Sequence, residues 1–226
     1  MKKIAIKDFF KKHLNVIVIC ICVMVFVLVG IEVVRFVQHK NEQKELKDYP
    51  FEVMKHEAAL SYNEYKSELV KEVKAYIDSV APTSSLTGYA IVDYSEKYDL
   101  DIKFVLAQGQ IESHFGTTGM AVKTNSVFNV GAYDNASYEN INGKFKYKHP
   151  DYSIEPYMQL LYRDYINGSK TELDLMAKYV NKRGQKYSSN VNYENDLFNL
   201  YKSIDKSTRI TELQGEMRRY KIISGN

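Results

Sequence analysis

Tryptophan is absent from this 226-residue chain, and cysteine occurs only twice. Both cysteines, Cys20 and Cys22, fall inside the one long apolar run, so the rest of the chain holds neither a thiol nor a disulfide. The histidines His13, His39, His56, His114 and His149 show no ligand-like spacing, which gives no metal site. No glycine loop is spaced to cradle phosphate, and no cofactor is expected. Internal repeats and low-complexity tracts are also lacking. A basic surface for nucleic acid is missing too: the formal charge is +3, but residues 1–37 alone carry a surplus of +4 and everything after them sums to −1.

What is present first is an anchor. From Leu14 to Ile31 only Asn15 is polar, and the apolar character continues to Val37 past Glu32, with Arg35 placed to snorkel. The run is longer than the roughly 7–15 apolar residues of a cleaved signal peptide, and no small-residue cleavage site follows closely. Lys2, Lys3, Lys7, Lys11 and Lys12 precede it, so a span at residues 14–37 leaves residues 1–13 as a cytoplasmic tail and the remainder outside the cell membrane. Residues 38–82 read as a juxtamembrane linker carrying Pro50, then an amphipathic helix: Tyr62, Tyr65, Leu69, Val73, Tyr76 and Ile77 recur at steps of three and four until Pro82. The expected role of that helix is a solvated stalk that packs one stripe against the domain. Residues 83–206 form the main domain, mostly helical patterns with one stretch, "YENINGKFKYK", that alternates about Asn142-Gly143 as a β-hairpin does. Residues 207–226 read as a charged tail.

Within the main domain the pattern predicts a helix from Ile102 to Phe115, with Asp101 as N-cap and Gly116 as the stop. On a 3.6-residue period Ile102, Val105, Gly109 and Glu112 share one stripe, beside a second stripe of Phe104, Ile111 and Phe115. Glu112 therefore points toward the protein. An ionised carboxylate there costs several kcal/mol unless it is paired or keeps its proton, and a retained proton is what a general acid needs. Neither Lys103 nor His114 is a natural local partner. Periodicity leaves two readings open, a structural glutamate bonded to helix ends or hydroxyls and a catalytic one.

The run "LAQGQIESHFGTTGMAVKTNSVFNVG" resembles the core motif of the peptidoglycan-cleaving glucosaminidases of glycoside hydrolase family 73, A-x-x-E-S-x-x-G-x-S followed by N-N-L-F-G-I. Glu112, Ser113 and Gly116 match the first part, Thr118 stands for its small hydroxyl residue, and Asn125, Val127, Phe128 and Val130 match the second. Asn129 stands where the family usually has Gly. A second block, F-R-x-Y-x5-S-I-x-x-Y, is similar to "FKYKHPDYSIEPY", with Phe145 one place off and Tyr147, Ser153, Ile154 and Tyr157 in register. The closing Y-A-T-D-x-x-Y-A-x-K-L segment resembles "YVNKRGQKYSSNVNYENDLFNLY", with Tyr179 and Tyr193 at its tyrosines.

The resemblance implies a mainly α, lysozyme-like domain with a small β-hairpin lobe facing the catalytic helix across a sugar groove. It implies Glu112 as general acid for the β-1,4 bond between N-acetylglucosamine and N-acetylmuramic acid, peptidoglycan glycan strands being the partner. Glycosidases of this logic place a second carboxylate about 5 Å away for retention, or roughly 6.5–9.5 Å away for inversion. Asp134, Glu139, Asp151 and Glu155 are the candidates, and Glu139, at the start of the hairpin, is favoured as general base. A substrate-assisted route needs no such group, and Tyr147 would then orient the 2-acetamido oxygen. With 19 tyrosines and no tryptophan, the aromatic faces offered to sugars are tyrosine; Tyr147, Tyr152 and Tyr179, with Phe128 and Asn125, are the expected substrate contacts. Two other functions stay open: a lytic transglycosylase or muramidase acting on the other glycosidic bond, and an inactive wall-binding component of an envelope-spanning or phage machine.

Overall fold

The computed structural model describes residues 27–38, 40, 51–130, 140–141, 144–166 and 168–225, and divides into two units, Met1–Met54 and Lys55–Asn226. In the first, residues 27–38 are helical and apolar side chains such as Leu28 and Phe36 are exposed. Most of the expected span lies outside the described residues, and among the described residues no helix is long and apolar enough to cross a membrane.

The second unit is mainly helical. Helix α1 (Phe51–Val80) stops just before Pro82, which cannot continue a helix and restricts the residue ahead of it. Its expected stripe is real, and Leu69, Val73 and Ile77 are fully buried in the same core as the main domain. The C-terminal half of α1 therefore packs its stripe against the domain, as expected, and is part of that core. Helix α2 (Gly88–Lys97) begins so close to α1 that a Cβ on Gly88 would meet the Val70 carbonyl oxygen at 2.2 Å, so only glycine fits.

Helix α3 (Ile102–Ser113) is the centre of the fold. Asp101 caps it as expected, its Oδ1 accepting the Lys103 N–H at 2.9 Å. The helix ends earlier than the pattern predicts: His114, Phe115 and Gly116 take successive φ values of +51°, +53° and +86°, so the stop is a three-residue left-handed run begun by His114. Nor is α3 amphipathic, since every residue from Ile102 to Gly109 is buried; burial thins only at its C-terminal end. There Glu112 is half-buried. The reason is enclosure on all sides by α2, helix α7 (Tyr193–Ser207) and helix α8 (Ile210–Ser224).

Between α3 and α7 the chain forms short α4 (Ala121–Thr124), then strands β1 (Asn140–Ile141) and β2 (Lys144–Phe145), which pair antiparallel with Asn140 opposite Phe145 and Ile141 opposite Lys144. The rest of the expected hairpin lobe, 131–139 and 142–143, lies outside the described residues. A 3₁₀ turn (Pro150–Ser153) leads into α5 (Ile154–Leu161), a π turn (Tyr162–Ile166) and α6 (Glu172–Ala177), which starts with a capping box from Thr171 and Asp174.

The expected C-terminal tail is instead the packed helix α8. Ile210, Leu213 and Met217 are buried, Gln214 donates to the Leu100 carbonyl at 2.8 Å and accepts the Ile102 N–H at 3.2 Å. Its charged residues had masked an apolar stripe. Glu96 on α2 joins three helices, bonding Tyr62 and Lys66 of α1 and Lys221 of α8. Burial opposes its ionisation, but these bonds, Lys221 first, outweigh burial and hold its carboxyl at about 2.

Candidate active site

Two motif serines fix the loop that follows α3. Ser113 Oγ donates to the Val127 carbonyl at 2.5 Å, and Ser153 Oγ accepts the Val127 N–H at 3.1 Å. Each side of one residue, Val127, is thus held by a different sequence block. Two more bonds lash the same loop to the second block: Tyr147 N–H donates to the Thr124 carbonyl at 2.7 Å, and Asn125 Nδ2 donates to the Tyr147 carbonyl at 2.8 Å. Asn125 and Asn129 both sit in the left-handed region, at φ +54° and +51°. Asparagine tolerates that region better than other residues with a Cβ. Asn129 therefore takes a conformation that suits the glycine usual in the motif, and its Nδ2 donates to the Glu112 carbonyl at 2.8 Å.

The Glu112 side chain is held from the opposite direction. Its Oε1 accepts the Tyr193 hydroxyl at 2.6 Å. Tyr193 accepts from Gln108 Nε2 at 3.2 Å, and Gln108 Oε1 accepts the Tyr179 hydroxyl at 2.9 Å and the Tyr157 hydroxyl. Every bond runs the same way: two phenols donate to an amide, the amide to a third phenol, and that phenol to the carboxylate. Such chains polarise cooperatively. Burial pushes the hydroxyls of Tyr157, Tyr179, Tyr187 and Tyr193 well above the ordinary phenol value, and the charge of Glu112 adds to this at Tyr179, Tyr187 and Tyr193. These phenols stay protonated, and therefore stay donors.

The expected contacts divide. Phe128 is 2% exposed, with its ring stacked on Tyr157 at 3.5 Å, and Tyr179 is 1% exposed between Phe104 and Tyr187. Neither has a face left for a sugar; both form the wall behind Glu112, and that expectation is corrected. Tyr147 belongs to the core as well, at 8%, and Asn125 is a loop clamp. Tyr152 alone of the aromatic set is open, at 65%. Among the carboxylates, Asp151 caps α2 by accepting the Thr87 N–H and hydroxyl, both at 2.8 Å, and Glu155 pairs with Lys97. Asp134 and Glu139 lie outside the described residues. Lys103 and His114 are engaged elsewhere, with Asp205 at 2.7 Å and the Val80 carbonyl at 2.6 Å.

Gln108 belongs to none of the motif positions matched in the sequence. Its position four residues before Glu112 puts it on the same helix face, which was the available signal. A core with three tyrosines converging on one glutamine, itself aligned with a half-buried glutamate, is laid out to aim a carboxyl group.

Residues 88–206, more than half of the chain, match the family model described as Glucosaminidase, mannosyl-glycoprotein endo-beta-N-acetylglucosaminidase. The chain belongs to the glucosaminidase family. It is a glycoside hydrolase of the endo-β-N-acetylglucosaminidase type, and its domain is in general terms that of a peptidoglycan hydrolase. A search of the curated proteins found no match to it. The matched span opens at the first residue of α2 and closes one residue short of the end of α7, so the glucosaminidase model covers the whole Glu112 relay but leaves α1 and α8 as additions to the core.

Proposed function

We propose that this glucosaminidase cleaves the β-1,4 bond between N-acetylglucosamine and N-acetylmuramic acid, with Glu112 as general acid. The observation that carries the reading is the placement of Glu112 at the half-open end of α3, where the Tyr193 hydroxyl fixes Oε1 as an acceptor and leaves Oε2 as the oxygen that can carry a transferable proton. A carboxyl so oriented can deliver its proton to the glycosidic oxygen as the bond to the anomeric carbon breaks, with positive charge developing on the sugar ring. Water then attacks the anomeric carbon, and Glu139 takes its proton as general base. Asp151 and Glu155 are less suited to that task because each already holds a structural partner. Tyr152 has an exposed ring of the kind that stacks on a sugar.

We further propose that residues 14–37 anchor the enzyme in the cell membrane with its N-terminus in the cytoplasm and its catalytic domain outside, so that it acts on nearby wall strands. The exposed apolar side chains of helical residues 27–38 support this, being suited to lipid.

The test is digestion of purified peptidoglycan by the full chain in detergent and by Glu112→Gln, with the released ends identified by mass spectrometry. Reducing N-acetylglucosamine ends from the wild type alone are expected. Reducing or anhydro N-acetylmuramic acid ends would move the enzyme to the other bond. No released ends from a folded wild type would leave a wall-binding module.

A further inference from the structure

The segment Lys178–Lys186, "KYVNKRGQK", carries Lys178, Lys182, Arg183 and Lys186 and no acid, in a chain whose residues after 37 sum to −1. It is a built turn. Val180 and Lys186 pair across it, Asn181 Oδ1 accepts the N–H groups of Arg183 and Gln185 at 2.9 Å each, and Gly184 reverses the chain at φ +77°. Lys170 Nζ to the Val180 carbonyl, 3.0 Å, and Lys182 N–H to the Asp164 carbonyl, 2.9 Å, fasten it to the domain. Beside it Arg163, Asp164, Asn181, Lys182, Arg183 and Gln185 line a polar recess of about 380 Å³. Arg163 and Lys182 share Asp164, while among the described residues no carboxylate pairs with Arg183, Lys178 or Lys186.

The base of the turn is the active site. Tyr179 and Tyr187, the residues on either side of the bridge, stack at 4.4 Å, and Tyr179 donates to Gln108, whose amide donates to the Tyr193 that holds Glu112. An anion met by this turn is therefore carried by whatever occupies the site. A strand of β-1,4-linked N-acetylated sugars is neutral; its negative charges hang on the peptide stems.

We propose that the turn 178–186, with Arg163, is a subsite for the carboxylates of the peptide stems, so that this enzyme reads the peptide as well as the sugar. The inference rests on the peptidoglycan reading given above. Lys182 and Arg183 supply the charge, and the Asn181 bonds hold the turn in shape before substrate arrives, which lowers the ordering cost of binding.

The test is binding, independent of turnover. Stem-bearing glycan fragments, and the same fragments with their carboxylates chemically amidated, are titrated onto the full chain in the Glu112→Gln background. Native fragments are expected to bind about tenfold tighter than amidated ones at low salt, a preference that fades toward 0.5 M salt as the Debye length shortens to a few ångströms. Lys182→Ala/Arg183→Ala should bring the ratio to within about twofold while leaving the amidated fragments unchanged, and Arg183→Ala alone, which breaks no ion pair of the fold, should give part of that loss. Equal binding of both fragments, a loss that falls alike on both, or binding of a wall phosphate polymer in place of the stems overturns the inference. If the preference is found but the wild type releases no reducing ends, the glycosidase reading falls and the stem subsite stands.

Discussion

Replacing Gln108 by Leu keeps the volume of the side chain but removes the acceptor shared by Tyr157 and Tyr179 and the donor to Tyr193. Tyr157 and Tyr179 are each about 1% exposed, so water has no route to their hydroxyls. Leaving a buried polar group without its partner costs about 1–3 kcal/mol, so two such phenols lose about 2–6 kcal/mol together. That is a large part of the 5–15 kcal/mol or so typical of a folded domain. At roughly 2–4 °C per kcal/mol for a unit of this size, the melting temperature followed by circular dichroism should fall by about 5–20 °C. A second variant separates lost bonding from disturbed packing: Gln108→Leu combined with Tyr157→Phe and Tyr179→Phe removes both sides of the two bonds to the Gln108 carbonyl oxygen and should recover most of the loss. A fall of less than about 3 °C in the single variant, or no recovery in the triple one, would refute the reasoning.

Three more outcomes are expected. Tyr193→Phe removes the donor that fixes Glu112 Oε1, and a carboxyl free to swing by about 1 Å should lose on the order of 10²-fold in kcat on peptidoglycan, with KM nearly unchanged. Asn129→Ala puts a side chain less tolerant of the left-handed region at φ +51° and drops the bond to the Glu112 carbonyl, costing about 1–3 kcal/mol in urea unfolding, whereas Asn129→Gly, which drops the same bond but takes that φ without strain, should cost about 1 kcal/mol less than the alanine variant. The Glu96 carboxyl lies below its ordinary value of 4.5, at about 2, so its contribution is fully present above pH 4.5 or so and is lost as pH falls from there toward 2. Stability measured across that window should drop by about 1–2 kcal/mol more in the wild type than in Glu96→Gln, allowing for solvent screening of this partly exposed cluster.

Most of the helical frame is legible in the sequence because apolar spacing of three and four residues reports directly on which face is covered. That rule explains why the stripe of α1 and the Asp101 cap are where the pattern puts them. It fails for α3, a helix buried nearly all round, because enclosure is a property of the neighbours and not of the helix. It fails again for α8, where Arg209 with Glu212 and Glu216 with Arg219 give a solvated look to a segment whose Ile210, Leu213 and Met217 are in the core. At the site, Glu112 can be singled out from spacing and motif, since a lone carboxylate in an apolar run needs a reason. The aromatic residues cannot be sorted the same way. Phe128 and Tyr179 look like sugar platforms in a sequence, and only packing reveals that their faces are already taken by Tyr157 and Tyr187. The spacing of Gln108 from Glu112 puts it on the same helix face but cannot reveal its role, because an amide's role depends on which hydroxyls arrive around it.

The bond from Ile102 N–H to Gln214 joins positions 112 residues apart. At a synthesis rate of about 5–20 residues per second, the helix that carries Glu112 waits roughly 6–20 s for the side chain that closes its first turn. Through that interval Phe104, Val105 and Leu106 have no finished core to enter. The packing of α3 is therefore completed only after α8, near the end of the chain, has been made and has docked.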